Sequence, residues 1–481
     1  MERLSGIDAA FLALETDTMH MHVGAVMVFD PSSSRSSDDA STRYVDRLRA
    51  VVEERIHLVP PLRRRVVRVP FGIHHPMWVE DPDFDIDYHV RRASLPAPGG
   101  PTELAAFVAE LAGRPLDLDS PLWEMHVVEG LESGHVAVIP KVHHSLFDGA
   151  SGVEVVASFL DSGPVPRVVP FPSRPWRPEP IPTEAELIGS AMSSLLRQPE
   201  QTAGVLRRSF DAVRDLTERN RRLREEDDAV PPPAPFKAPR TSLNGAISRH
   251  RRFAFAQMPL DEIRTVSRVF GGTVNDVVLA AVAGALRRLL AERGERLDDS
   301  VVAMVPMSRR GDADRGALGN KVSAMLVSLA TQVADPVERL TTIAAGTRLA
   351  KDQARVLSEE LIQGWAQLAF PALSSRIARL AGNLRLFDHV PPLFNVLVSN
   401  IVGPDFALWC AGARLVALYP VGPIIEGVGL NVTVASYEGI LYFGILGCRE
   451  LVPEVAHFGD LLTDALAELL KAAERNGGHW A

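Results

Sequence analysis

Cysteine is nearly missing from this chain. Two occur in 481 residues, Cys410 and Cys448, and no CxxC spacing is present. That excludes a disulfide framework and a thiolate zinc knuckle, and it fits a reducing cytoplasm. Long hydrophobic runs are missing too. No uncharged apolar stretch approaches the roughly 20 residues that a spanning helix needs. The best candidate, Val277 to Leu286, is bounded by Asp276 and Arg287. The opening, Met1 to Leu14, carries Glu2 and Asp8 and lacks a basic stretch followed by an apolar one, so no secretory leader is expected. Nor is there a basic surplus. The 51 Lys plus Arg face 60 Asp plus Glu, and a net charge of −9 argues against a broad nucleic-acid footprint. GxSxG and internal repeats are also absent.

What is there is ordinary for a globular protein. With 46% hydrophobic and 23% charged residues, a large core is feasible and global disorder is excluded. At roughly 100–200 residues per domain, the length suggests two to four domains or a two-lobed enzyme. Proline supplies the punctuation. Eight prolines between Pro164 and Pro182, and the stretch EEDDAVPPPAPFKAPR at 225–240, prevent helix interiors and sheet centres and read as extended connectors. Between them, 184–224 reads as a helical stretch ending in Arg219, Arg221, Arg222 and Arg224: a solvated helix, or a lid or membrane-surface contact.

Strands and helices alternate on both sides. Val23–Phe29 and His135–Val142 have strand length, and Tyr44–Ile56 has helical spacing. Further on, Asp276–Glu292 reads as a helix, and Val301–Met307, Ser323–Leu329 and Asn395–Ser399 read as strands. Asn431–Ala435 and Ile440–Leu446 flank a hairpin turn, and a helix from near Pro453 to Gly477 closes the chain. The pattern predicts a mixed α/β chain in two lobes, with boundaries at 1–161, 162–240 for the linkers and helical segment, and 241–481.

The most informative segment is Lys141-Val-His-His-Ser-Leu-Phe-Asp-Gly-Ala150. The other histidine doublet, His74-His75, is followed by Pro-Met-Trp and has no acidic companion. An HH doublet with Asp and Gly at the fifth and sixth following positions is expected by chance only about 0.002 times in such a chain. The chemistry is coherent. Histidine titrates near neutrality and suits general-base work. A strand end followed by a small-residue turn (Asp148-Gly149-Ala150-Ser151-Gly152) presents such a base from a rigid element. Asp148 is placed to fix the loop by pairing with an arginine. The alternatives for His144 are a structural histidine and a metal ligand, and no Cys/His spacing nearby supplies further ligands.

HHxxxDG resembles the signature of the CoA-dependent acyltransferase superfamily, which includes chloramphenicol acetyltransferase and peptide-synthetase condensation domains. Several further segments narrow the resemblance to the bacterial wax ester synthase/diacylglycerol acyltransferases. They are Leu4-Ser-Gly-Ile-Asp-Ala-Ala-Phe-Leu12, Met21-His-Val-Gly24, Pro121-Leu122-Trp123, Asn275-Asp276, Leu318-Gly319-Asn320, and Ser399-Asn400 with Gly403-Pro404. The resemblance runs from residue 4 to about 472. It implies two chloramphenicol-acetyltransferase-like lobes of mixed sheet flanked by helices, joined by a long crossover, with the active site between them. It implies that His144 is the general base, His143 its support and Asp148 a structural residue orienting the loop. Gly149, Ser399 and Asn400 are candidate substrate-binding positions. Ser399 and Asn400 are candidates for the oxyanion donor as well, or else they end a strand and begin the turn at Val402-Gly403-Pro404. Asn275-Asp276 reads as a helix cap, Trp123 as core, and His20 and His22 as residues opening a strand.

The resemblance implies a long-chain acyl-CoA donor, diacylglycerol or a fatty alcohol as acceptor, and triacylglycerol or wax ester as product. It implies no metal and no resident cofactor, because acyl-CoA is a substrate. Two other classes remain open: a condensation-type enzyme fed by a carrier-protein thioester, and a non-catalytic lipid-binding protein of the same fold. The acceptor is water-insoluble, so a cytoplasmic protein held peripherally at the membrane or at lipid inclusions is expected. Residues 358–385 combine Leu361, Ile362, Trp365, Leu368, Phe370, Leu373, Ile377 and Leu380 with Arg376, Arg379 and Arg385. That composition suits an interfacial helix or one packed into the second lobe.

Overall fold

A computed structural model describes residues 1–33, 40–147, 149–172, 176, 178, 180–195, 233, 237–296, 298–308, 322–354 and 391–477. Asp148, Leu318-Gly319-Asn320, the basic run at 219–224 and the apolar segment 358–385 lie outside the described residues.

The first part of the chain runs β1 (Glu2–Arg3), α1 (Gly6–Leu14), β2 (His22–Asp30), α2 (Ala40–Arg55), β3 (Arg64–Val67), β4 (Met77–Glu80), α3 (Ile86–His89), β5 (Val90–Ser94), α4 (Pro101–Ala112), β6 (Trp123–Glu129), β7 (Val136–His143), α5 (Gly149–Phe159) and α6 (Glu184–Leu195). Local chemistry sets the helix starts. Ser5 Oγ accepts the Asp8 amide to begin α1, and Pro101 opens α4 while the Glu103 carboxylate accepts the Gly100 amide at 2.8 Å. The second part runs β8 (Arg251–Pro259), α7 (Leu260–Phe270), α8 (Val274–Glu292), β9 (Val302–Ser308), β10 (Val322–Ser328), α9 (Pro336–Ala354), β11 (Val396–Ile401), β12 (Trp409–Cys410), β13 (Ala413–Val421), β14 (Leu430–Tyr437), β15 (Ile440–Cys448) and α10 (Val455–Gly477).

Among the described residues the strands form two six-stranded sheets and one of three strands. The first is ordered β12-β13-β2-β7-β6-β5 and the second β10-β9-β11-β14-β15-β8. Both are mixed: β5 and β6 run parallel in the first, and β11 runs parallel to β9 and β14 in the second. The mixed α/β architecture expected from the sequence is therefore present. Residues 409–421, however, which the sequence division gives to the second lobe, lie in the first sheet, where β13 pairs with β2.

The ten-residue apolar run is explained by α8. Val277 through Leu286 are all buried, so this helix is apolar all round because it is surrounded by protein. Among the described residues no single helix is long and apolar enough to cross a membrane; α7 and α8 meet that measure only as a pair bent by 98°. Gly284 is where α8 meets α10: a Cβ there would sit 2.8 Å from the Ala465 methyl. Asp276 caps α8 in partnership with Thr273, whose hydroxyl accepts the Asp276 amide at 3.3 Å while the Asp276 carboxylate accepts the Thr273 amide at 2.7 Å.

Candidate active site

The histidine doublet sits where β7 leaves the first sheet. His143 is its last residue, register partner of His22 on β2, and wholly buried. Its amide donates to the Leu122 carbonyl at 2.9 Å, which ties the doublet to the Pro-Leu-Trp segment. Leu122 and Trp123 are themselves core residues, and the indole N–H of Trp123 donates to the Leu62 carbonyl at 2.7 Å. The reading of Trp123 as packing agrees with this.

The His143 ring is fixed from both sides. Its Nδ1 accepts the Ser145 amide at 3.1 Å and lies 2.7 Å from the Ser145 hydroxyl. An Nδ1 that accepts leaves the proton on Nε2. That nitrogen faces the Glu15 carboxylate at 3.3 Å. Glu15 follows α1 directly and holds three things together. Its Oε1 meets His143, lies 3.5 Å from His22 Nε2 and accepts the Met21 amide at 3.3 Å. The Met21 carbonyl in turn accepts the His144 amide at 2.7 Å. One residue therefore separates the Glu15 carboxylate from the backbone of His144.

His144 is half-buried, and its ring stacks on Phe11 of α1 with centroids 4.3 Å apart and planes inclined by 23°. The helix that ends in Glu15 thus braces both histidines, one by charge and one by an aromatic face.

Electrostatics follow from burial. Desolvation pushes the Glu15 carboxyl up, but contact with the His143 imidazole, the nearby His20 and the hydrogen bond from the Met21 amide together outweigh it and hold the group below its ordinary value. His20 is brought down to about 4, mainly by burial, with Glu15 opposing and Arg251 and Lys141 adding to the fall. His22 lies well below 6.5 for the same first reason. Both are buried neutral residues at the opening of β2, as the sequence suggests. Among the described residues no three His, Cys, Asp or Glu side chains are arranged to hold a metal.

A cleft of about 550 Å³ runs along α1 and is lined by Ala9, Leu12, Ala13, Glu15, His20 and Arg249, among others. It brings solvent-accessible space to the carboxylate that supports His143. Gly149 opens α5 directly after the turn, while Asp148 is outside the described residues. Ser399 and Asn400 lie at the end of β11 in the second sheet, paired with Thr433 and Val434. They continue the strand rather than end it at Ser399, and β11 stops at Ile401.

Sequence reasoning missed Glu15. A lone carboxylate after a short helix carries no motif, and only the pairing of β2 with β7 brings it to the doublet. Arg249-His250-Arg251-Arg252 also escaped notice; the only available signal was a short basic run in an acidic chain.

Residues 4–278 match the model of the wax ester synthase/diacylglycerol acyltransferase catalytic domain, and residues 318–470 match that of the WS/DGAT C-terminal domain. A Mycobacterium tuberculosis protein provisionally named a diacylglycerol O-acyltransferase is 35% identical over 98% of this chain and 91% of its own length. A second from the same species, likewise named, is 36% identical over 91% of this chain and 90% of its own. Among solved structures, the wax ester synthase/diacylglycerol acyltransferase of Marinobacter aquaeolei VT8 aligns with a TM-score of 0.68 and 29% identity, covering 98% of this chain and all of that one. The first condensation domain of the calcium-dependent antibiotic synthetase aligns at 0.55 with 16% identity, over 98% of this chain and 96% of that one, which is a likeness of fold.

Proposed function

This chain belongs to the wax ester synthase/diacylglycerol acyltransferase family, and from that premise we propose that it moves the acyl group of a long-chain acyl-CoA onto the free hydroxyl of diacylglycerol, forming triacylglycerol. The observation that carries the reading is the bracing of the doublet: a buried His143 held by Ser145 and Glu15, and a half-buried His144 beside it, held through its backbone and by Phe11.

The chemistry follows from the groups. An alcohol is a weak nucleophile at neutral pH. His144 accepts its proton as the oxygen attacks the thioester carbonyl. The tetrahedral oxyanion collapses, the C–S bond breaks, and the departing thiolate takes the proton back from His144. No serine or cysteine nucleophile enters. A positioned general base contributes about 10²–10⁴-fold. His143 supports the turn, and Asp148 orients it. Ser399 and Asn400 are proposed as oxyanion donors reaching from the second sheet, with Gly149 lining the acyl site. No resident cofactor is required.

Fatty alcohols fit the same chemistry and give wax esters, so acceptor choice rests on pocket shape. Because the acceptor resides in a lipid surface, the protein works as a peripheral protein there. The experiment follows release of CoA from palmitoyl-CoA with diacylglycerol or hexadecanol carried in vesicles, and flotation of the protein with those vesicles. Release with diacylglycerol supports the proposal. Release only from a carrier-bound thioester favours the condensation-type chemistry, and no release from either favours lipid binding without catalysis. A protein that never floats with the vesicles contradicts the peripheral contact.

A further inference from the structure

A second cleft, about 690 Å³, lies between α4, β8 and the start of α10. Its walls carry Arg114, Arg249, His250, Arg251, Arg252 and Arg449, in a chain whose net charge is −9. Not all of this charge is free. Arg114 pairs with Glu110, and Arg449 and His250 both meet Glu450. Asp460 also lines the wall. Arg249 and Arg252 are exposed, and among the described residues neither guanidinium has an ion pair or a hydrogen bond.

Arg251 is the unusual member. It is buried, and its guanidinium donates to the main-chain carbonyls of Thr18, Ser248 and His250, with no carboxylate among those partners. Arg251 adds positive charge to the groove wall, opposed in part by the nearby Glu426 and Glu450 carboxylates. The two exposed arginines, Arg249 and Arg252, stand at its rim. The groove also adjoins the cleft along α1 that reaches Glu15: Gly113 and Arg249 line both, with their backbones packed together as the low ridge between them.

We propose that this groove takes the phosphates of the coenzyme A donor, with Arg249 and Arg252 as the phosphate-binding residues and the thioester arm passing by Gly113 toward the histidine doublet. The inference rests on the acyl-CoA reading above. Two observations favour a nucleotide over an anionic membrane. The charge lines a concave cleft, and the cleft adjoins the one that borders the site, so a bound thioester arm has only the Gly113–Arg249 ridge to cross. Planar guanidinium groups bind phosphate oxygens bidentately, so two of them supply a strong and orienting contact.

The test is the double variant Arg249→Ala/Arg252→Ala in the full chain, assayed with palmitoyl-CoA and with the palmitoyl thioester of N-acetylcysteamine, which lacks the nucleotide. KM for palmitoyl-CoA should rise about tenfold or more with kcat nearly unchanged, and kcat/KM for the short thioester should not move. Binding of free CoA, followed by calorimetry, should weaken by the same factor and recover in part in Arg249→Lys/Arg252→Lys. An unmoved KM for palmitoyl-CoA, or an equal loss with both thioesters, overturns the proposal. So does a variant that keeps its KM and no longer floats with anionic vesicles, which would make the groove a membrane contact. Wild-type protein that turns over no palmitoyl-CoA overturns the donor assignment itself, whereas wild-type turnover with an unmoved variant KM overturns the groove alone.

Discussion

Glu15 is the residue through which the candidate site is most open to test. Its carboxylate is half-buried, faces His143 at 3.3 Å and accepts the amide of the residue that holds His144. Glu15→Gln keeps the shape and removes the charge. The expected outcome is a fall in turnover of about tenfold or more, with KM for the acceptor little changed, because the loss is in positioning rather than in binding. Stability supplies a second readout. The folded-state Glu15 carboxyl is held below its ordinary value. Its contribution is therefore present above the ordinary carboxylate range and is lost as pH falls through the lower, folded value. Melting temperatures of wild type and Glu15→Gln should differ at pH 7 and converge on acidification below about 4. Curves that stay equally far apart at every pH would contradict the charge argument. At this scale the sequence singles out His143 and His144, because a dense motif names its own residues. It was silent on Glu15 and on Arg249 and Arg252, whose meaning comes from neighbours far away in the chain.

At the scale of elements, periodicity located most of what it addressed. The hairpin of β14 and β15 and the closing helix α10 fall where alternation and the turn at Glu438-Gly439 put them, both turn residues having positive φ. Helix α8 starts at Val274, two residues before the Asp276 that the apolar run suggests, because Thr273 is the cap and Asp276 its reciprocal partner. Short strands such as β12 and the three-stranded sheet left no pattern long enough to read. The joint between α8 and α10 depends on a missing side chain at Gly284, with the Ala465 methyl and the Arg339 guanidinium close by. Gly284→Val should destabilise the protein by about 1–3 kcal/mol through overpacking, read as a lower urea midpoint with unchanged slope. An unchanged midpoint would mean that the two helices can move apart freely.

At the scale of the molecule, the proline-rich break predicts two lobes, and the exchange of a strand between the two sheets was not legible. β13 leaves the second part of the chain to pair with β2, and tyrosines of the second sheet hold it there: Tyr437 Oη donates to the Leu415 carbonyl at 3.0 Å and Tyr442 Oη to the Val416 carbonyl at 3.2 Å. Strand exchange between sheets depends on tertiary pairing and leaves no local signal. A fragment of residues 1–161 alone would leave one side of β2 unpaired, and it should fail to give a protease-resistant, cooperatively melting lobe. A stable monomeric fragment would show that the exchange is dispensable. The account as a whole rests on His144 as the proton acceptor within this assembled frame. The most direct test compares CoA release from palmitoyl-CoA in the presence of diacylglycerol by wild type and by His144→Ala, with circular dichroism and melting of both. The account predicts a folded variant slowed by at least about 10²-fold; a folded His144→Ala protein that releases CoA at the wild-type rate would contradict it.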